Sequence, residues 1–275
     1  MQGSLVSAAN VGCSSTVATR PGKLRLSDDE LHDLLELIEG ADTVELKLTV
    51  PESDRHSALT ALSVDPLDAS VRQVFFFDTP ELRLYEHGVV ARARRTQAKP
   101  DDSVIKIRPV VPNDIPRELR ATKDSGVEVD AMPGGYVCSA SYKKQLQAGK
   151  VKDSVAGRRS LRKLFSKQQR AFFALHAPDG IELDDLSILG PINVLKLKFA
   201  PEGFARKLAV ELWSYPSGAR ILELSTKCPP GEALEAAAEA RAYLSERGVN
   251  LDGKQETKTR AALSYFSKSL KDTTG

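Results

Sequence analysis

Cysteine is scarce in this 275-residue sequence: Cys13, Cys138 and Cys228 lie far apart and form no CxxC pair. That spacing excludes a zinc ribbon and a disulfide framework and fits a reducing compartment. Long apolar runs are missing too, since none approaches the roughly 18 residues of a membrane-spanning helix. The N-terminal MQGSLVSAANVGCSSTVATRPG has no charged start followed by an apolar core, so it does not read as a secretory signal. These absences predict a soluble, cytoplasmic protein with no membrane partner. The four histidines, His32, His56, His87 and His176, show no HExxH or paired spacing, which argues against a histidine metal site. No GxxxxGK[ST], GxGxxG or GxSxG occurs, which removes the P-loop, the dinucleotide fold and the hydrolase elbow. A net charge of only +2 argues against nucleic acid, so any anion site must arise from local clustering. With aromatics at 6%, Trp213 and the Phe75–Phe77 run read as core rather than as stacking platforms. No repeat and no low-complexity tract appears.

What the chain does have is charge arranged with a period of two. After the apolar run at 74–77, Asp78-Thr79-Pro80 signals a turn, a short helical piece follows, and Gly88 opens VVARARR. Alternation there sends Arg92 and Arg94 from one strand face, and SVIKIRP repeats the device with Lys106 and Arg108. Cations aimed together at one side of a sheet demand an anion or acidic partners if that side is enclosed. TVELKLTV at 43–50 places Glu45 and Lys47 together, NVLKLKFA places Lys196 with Lys198, and Glu211 and Glu223 each stand among apolar neighbours.

Around these strands the pattern is helical. Residues 1–26 read as a flexible tail, Ser27 and Glu30 as a capping box, and 27–39 and 52–62 as helices. Residues 111–134 read as loop, 135–167 as a basic helical insertion, QRAFFALHA and GIELDDL as strands, and 232–271 as C-terminal helices. The fold class predicted is α+β: a closed antiparallel β-barrel of about eight strands surrounded by helices, one domain over 27–275. Two packings remain open, a barrel filled by the apolar face or a wet tunnel lined by the charged one. The abundance of amphipathic helices, which need an apolar surface to cover, favours the tunnel. Such a tunnel suits a polyphosphate, with a divalent cation bridging its carboxylates to phosphate.

TVELKL (43–48), FDTPELRLYEHGVVARAR (77–94) and VIKIR (104–108) together resemble the CYTH family, the triphosphate tunnel metalloenzymes. The first stands where that family carries ExExK, with Thr43 at its first glutamate. The resemblance implies a barrel tunnel, a triphosphate-containing substrate or polyphosphate, and Mg²⁺ or Mn²⁺. It implies phosphate-binding roles for Lys47, Arg92, Arg94, Lys106 and Arg108, and catalytic roles for Glu45 and Lys47. The second half admits two registers. In one, GIELDDL is the acidic strand; in the preferred other, Lys196 and Lys198 bind phosphate, Glu211 and Glu223 join Glu45 at the metal, and Ser225 replaces a glutamate. Lys254 and Lys258 fall where the family often carries a tunnel-capping basic residue, and Lys258 is the one expected to bind phosphate. The expected activity is metal-dependent hydrolysis of inorganic, thiamine or nucleoside triphosphate. The alternative is a catalytically degenerate polyphosphate or phospho-metabolite binder; a cyclase is a third option, and oligomeric state stays open.

Overall fold

The structure, a computed structural model, describes residues 28–116, 120–251, 255 and 258–274, with backbone alone at 28–31, 33 and 271–274. The expected tail at 1–26, Ser27 of the expected capping box and Lys254 lie outside these residues. In chain order the elements are α1 (Asp28–Glu39), β1 (Thr43–Val50), α2 (Arg55–Ala61), β2 (Ser70–Asp78), α3 (Arg83–Glu86), β3 (Val89–Thr96) and β4 (Asp101–Ile107). There follow β5 (Ser125–Met132), β6 (Gly135–Leu146), α4 (Lys150–Val155), α5 (Lys167–His176), β7 (Ser187–Phe199), β8 (Leu208–Ser214), β9 (Arg220–Cys228), α6 (Ala233–Glu246) and α7 (Lys258–Thr274).

Among the described residues nine strands close into a barrel in the order β1-β5-β6-β4-β3-β2-β7-β8-β9, with β9 returning to β1. Every neighbouring pair is antiparallel except β1 and β5, which run parallel, so the barrel is mixed. Closure gives each strand an inside and an outside face, and the helices decide which is greasy. On the outside, Ile38 of α1, Val151 of α4 and Phe172 and Phe173 of α5 pack with Phe75, Phe77, Ala91, Ile105 and Val129. Ala58 of α2 and Tyr243 and Leu244 of α6 cover Leu48, Val210, Leu222 and Leu224. A third cluster is different: Val74, Phe76, Val90, Ile192, Val194 and Trp213 stand on the inward register, and Ala262 and Leu263 of α7 seal them in. The tunnel therefore has one apolar end under α7, and the charged face occupies the rest.

Three stretches fold otherwise than their composition predicts. Residues 135–167 are no helical insertion: 135–146 is a strand, followed by the single helix α4 and a 3-10 turn at Leu161–Leu164. Its basic residues cluster late, whereas Gly134 at φ +86° closes a tight hairpin in which Met132 pairs with Gly135. The same hairpin makes β5 from the stretch read as loop, with Val127 and Val129 buried outward. QRAFFALHA belongs to α5, started by Ser166, whose hydroxyl accepts from the Gln169 amide while the Gln169 side chain accepts from the Ser166 amide. GIELDDL is no acidic strand but a 3-10 turn, where Asp184 accepts from the Ser160 hydroxyl and the Arg162 amide.

Candidate functional site

Alternation along β1 turns Glu45 and Lys47 inward, and the registers fix what each one faces. Glu45 stands opposite Asp130 on one side and Lys227 on the other, while Lys47 stands opposite Ser225. Glu45, Glu128 and Asp130 form a carboxylate cluster, each offering an oxygen within 4.8 Å of the others. Lys47 Nζ lies 2.7 Å from Asp130 Oδ1 and 3.2 Å from Glu45 Oε2. Lys106 Nζ lies 3.6 Å from Asp130 Oδ2 and 3.7 Å from Glu128 Oε1, and Lys227 pairs with Glu128 and Glu45. Burial works to raise the Asp130 pKa, but Lys47 and Lys106 outweigh it and hold the carboxyl below the usual range. Burial likewise opposes the charge of Lys47, yet Asp130 and Glu45 push its pKa upward. Three carboxylates so close form an all-oxygen donor set that could hold a metal ion.

The wall built by β2, β3 and β4 has another character. Arg72, Arg92 and Arg94 face inward there, and of the three only Arg94 forms an ion pair among the described residues, with its Nε 2.9 Å from Asp102 Oδ2. Among the described residues, the Nε atoms of Arg72 and Arg92 are buried without a hydrogen-bond partner. Burial and then the neighbouring Arg94 push the Arg92 guanidinium down to about 10, and the same two causes lower Arg72. Native proteins rarely leave such donors unsatisfied, and guanidinium groups of this kind could take the oxygens of an anion. A cleft of about 970 Å³ opens at the rim beside Arg72, lined also by Arg95, Lys99, Gln73 and Gln145.

A third group sits toward the apolar end. Glu211 and Glu223 pair directly across β8 and β9, and both are buried. Lys196 and Lys258 bind Glu211, Lys258 Nζ is 2.6 Å from Glu223 Oε1, and Trp213 Nε1 donates to Glu211 at 2.9 Å.

The structure thus brings Glu45, Lys47 and Lys106 together, sets Arg92 beside Arg94, and places Lys196 with Lys258. Arg108 ends the β4 run with its amide bonded to the Gly88 carbonyl, its charge felt by Asp130. Lys198 keeps the inward register but is exposed at the strand's end. Two expectations change. The metal set Glu45, Glu211 and Glu223 divides between two clusters, because Glu45 pairs with Lys227 on β9 whereas Glu223 lies further along that strand, opposite Thr49. Lys258, expected on phosphate, is instead engaged by two carboxylates. Sequence reasoning missed Arg72, Asp102, Glu128, Asp130 and Lys227. The alternation of SGVEVDAM would have exposed Glu128 and Asp130, had the surrounding prolines not disguised the strand.

Asp78 shows why DTPELRLYEHG precedes the arginine strand. It is 1% exposed, and its carboxylate accepts from the amides of Thr79, Leu84 and Tyr85, folding the β2–β3 connection onto itself. Gly88, at φ +73°, lets the chain turn back, and any Cβ there would meet the Arg108 carbonyl oxygen at 2.2 Å. These two residues position β3 against β4 and so aim Arg92 and Arg94.

No family model matches the chain, and no curated protein matches it. Solved structures do. The Hippeastrum protein HpAC1, provisionally named an adenylyl cyclase and described as having a dominant triphosphatase activity, superposes with a TM-score of 0.58 at 15% identity, covering 80% of this chain and 94% of that one. A Bacillus halodurans protein provisionally named an adenylate cyclase superposes with a TM-score of 0.55 at 13% identity, covering 80% and 98%. The chain shares their fold, and the tunnel barrel expected from its CYTH-like motifs is the fold it has.

Proposed function

We propose that the protein is a metal-dependent hydrolase acting on a triphosphate bound in the barrel tunnel. The observation that carries this reading is the group of Arg72, Arg92 and Arg94, in which the Nε atoms of Arg72 and Arg92 are buried without a hydrogen-bond partner among the described residues, in a barrel that also holds a compact carboxylate cluster. Arginine forks match phosphate oxygens in pairs, and Lys106, Arg108 and Lys196 extend the cationic lining toward the carboxylates. Glu45, Glu128 and Asp130 are the residues that would hold Mg²⁺ or Mn²⁺, which supplies charge neutralisation between carboxylates and phosphate. Lys47, wedged between Asp130 and Glu45, is the donor placed to meet charge developing on the terminal phosphoryl group. Glu45, held by the Ser225 hydroxyl at 3.2 Å, orients that site. Attack by water forms one P–O bond to the terminal phosphoryl group and breaks the bridging P–O bond, releasing orthophosphate and the remaining diphosphate group; one water proton stays on the orthophosphate and the other passes to the leaving oxygen or to solvent. Positioning and charge stabilisation supply most of the acceleration in such reactions. HpAC1's dominant triphosphatase activity on the same fold supports this choice of reaction.

A second reading has its own observation. Where the CYTH resemblance expects carboxylates, Thr43 donates to Glu128 at 3.4 Å and Ser225 donates to Glu45, so the hydroxyls restrain the remaining acids instead of adding charge. That favours a triphosphate or polyphosphate binder with lost turnover. Phosphate release from inorganic, thiamine and nucleoside triphosphates with Mg²⁺ or Mn²⁺ decides between them. Turnover supports the hydrolase; binding by calorimetry without turnover supports the binder; neither binding nor turnover overturns both.

A further inference from the structure

Lys47, Lys106, Lys196, Lys227 and Lys258 each pair with a carboxylate inside the barrel. Lys143 of β6 forms no ion pair among the described residues, whereas its neighbour Lys144 pairs with Asp124 at 3.0 Å. Alternation gives Lys143 the inward register: Ser139 stands opposite Glu128, Ser141 opposite Lys106, and Lys143 opposite Val104. Val104 in turn stands opposite Arg92, so one rung of the barrel runs Arg92, Val104, Lys143 across β3, β4 and β6.

Neighbouring strands lie about 4.8 Å apart, so the backbones of Arg92 and Lys143 are separated by about 10 Å, with only the short Val104 side chain between them. Solvent reaches the Lys143 side chain. The wall around it still lowers the ammonium pKa: burial acts first, Glu128 opposes it, and Lys227, Arg92 and Arg94 add to it. Those four charges belong to both sides of the tunnel, Glu128 and Lys227 to the carboxylate cluster and Arg92 and Arg94 to the arginine wall. Glu128, the acid that attracts Lys143, is already engaged by Lys106 and Lys227. Lys143 is therefore a cation among like charges whose nearest acid is taken, and an anion between the two walls would relieve it.

We propose that Lys143 is a phosphate-binding residue that meets the middle of the chain and so sets a preference for triphosphate over orthophosphate. The proposal rests on the reading of the tunnel as a triphosphate site and adds a residue which that reading leaves out. Orthophosphate is small enough to be held by the arginines alone. A chain that reaches from the arginines to Lys47 and Lys106 passes Lys143 on the way.

Calorimetry on the full chain, with inorganic triphosphate and orthophosphate as probes and no divalent metal, tests this. Lys143→Met is expected to weaken triphosphate binding about tenfold to 30-fold, the loss of a hydrogen bond to a charged group, and orthophosphate binding less than threefold. Lys143→Arg, which keeps the charge, is expected to recover most of the triphosphate affinity. Lys144→Met removes the same charge from the outer face of the strand and is expected to change neither affinity. A folded Lys143→Met with undiminished triphosphate affinity overturns the proposal. Equal losses for the two probes also overturn it, since they mark long-range attraction rather than a contact. Acetic anhydride labelling of the unmodified protein, read by mass spectrometry, decides the matter should the variant fail to fold. Triphosphate is expected to protect Lys143 and leave Lys144 labelled, and an unprotected Lys143 overturns the proposal. Failure of the unmodified protein to bind triphosphate overturns the tunnel reading and this proposal with it, whereas binding that ignores Lys143 overturns this proposal alone.

Discussion

Around β1, β5 and β9 each lysine meets carboxylates: Lys47 meets Asp130 and Glu45, and Lys227 meets Glu128 and Glu45. Around β2 and β3, Arg72 and Arg92 form no ion pair among the described residues, and Asp102 serves Arg94. With Lys106 reaching in from β4, the first wall sets three lysines against three carboxylates and contributes to folding whether or not a ligand is present. The second carries charge that the described residues do not fully pair, which costs stability in the absence of a ligand. Matched substitutions on the two walls should therefore act with opposite signs on stability.

The largest effect is expected at Asp130. Asp130→Asn removes the charge that Lys47 and Lys106 both face, leaving two buried ammonium groups under-compensated. Breaking a buried pair in this way costs about 3–5 kcal/mol, readable as a lowered urea midpoint, and Mn²⁺ binding should fall with it. The same residue predicts acid sensitivity. Its folded pKa lies below the unfolded value of about 3.9, so its contribution is present above that value and is lost as pH falls through the folded pKa. Asp130→Asn should flatten this acid limb below about pH 4 relative to the unmodified protein. An unchanged limb would show that Asp130 is not the group responsible.

Arg92→Met probes the opposite wall. Triphosphate affinity is expected to fall by about 30-fold to 1,000-fold, since one partner of a buried charged contact with the ligand is lost, about 2–4 kcal/mol. Folding stability without ligand should hold or rise, because replacing an unpaired buried guanidinium by an apolar chain removes a desolvation cost. A clear loss of ligand-free stability would erase the distinction between the walls.

Asp78→Ala is expected to cost about 2–3 kcal/mol, since three amides, that of Leu84 buried and those of Thr79 and Tyr85 half-buried, lose one charged acceptor. Thermal melting reads the loss. Asp78 lies outside the phosphate lining, so a disproportionate fall in triphosphate affinity would show that the β2–β3 connection also tunes the aim of Arg92.

The difference between the walls also governs what could be read in the sequence. Arg92, Arg94, Lys106, Glu45 and Lys47 were legible because strict alternation beside a Gly or Pro turn announces a strand and its faces. Arg72 was not: it belongs to VRQVFFF, whose apolar run hides a period of two because β2 is covered by helices outside and lies in the apolar plug inside. Glu128 and Asp130 alternate cleanly, but only pairing with the distant β1 makes them tunnel residues, and β1–β5 is the parallel contact that short connections do not predict. The role of Lys258 depends on the path of α7 across the barrel end, a tertiary choice with no local signature.

Lys198→Ala sets the lower bound of the comparison. Lys196 and Lys198 share one face of β7, and the sequence gives them equal standing. Burial separates them: Lys196 is held by Glu211 inside the tunnel, whereas Lys198 is exposed past the last turn of alternation. A charge in open solvent is screened and pays conformational entropy to contact a ligand, so its loss should weaken triphosphate binding about threefold or less. The change should vanish as salt rises, because only long-range attraction at the mouth is removed. A salt-insensitive loss as large as that of Arg92→Met would mean that the phosphate chain reaches the rim. The unpaired wall would then extend along β7 beyond the arginines.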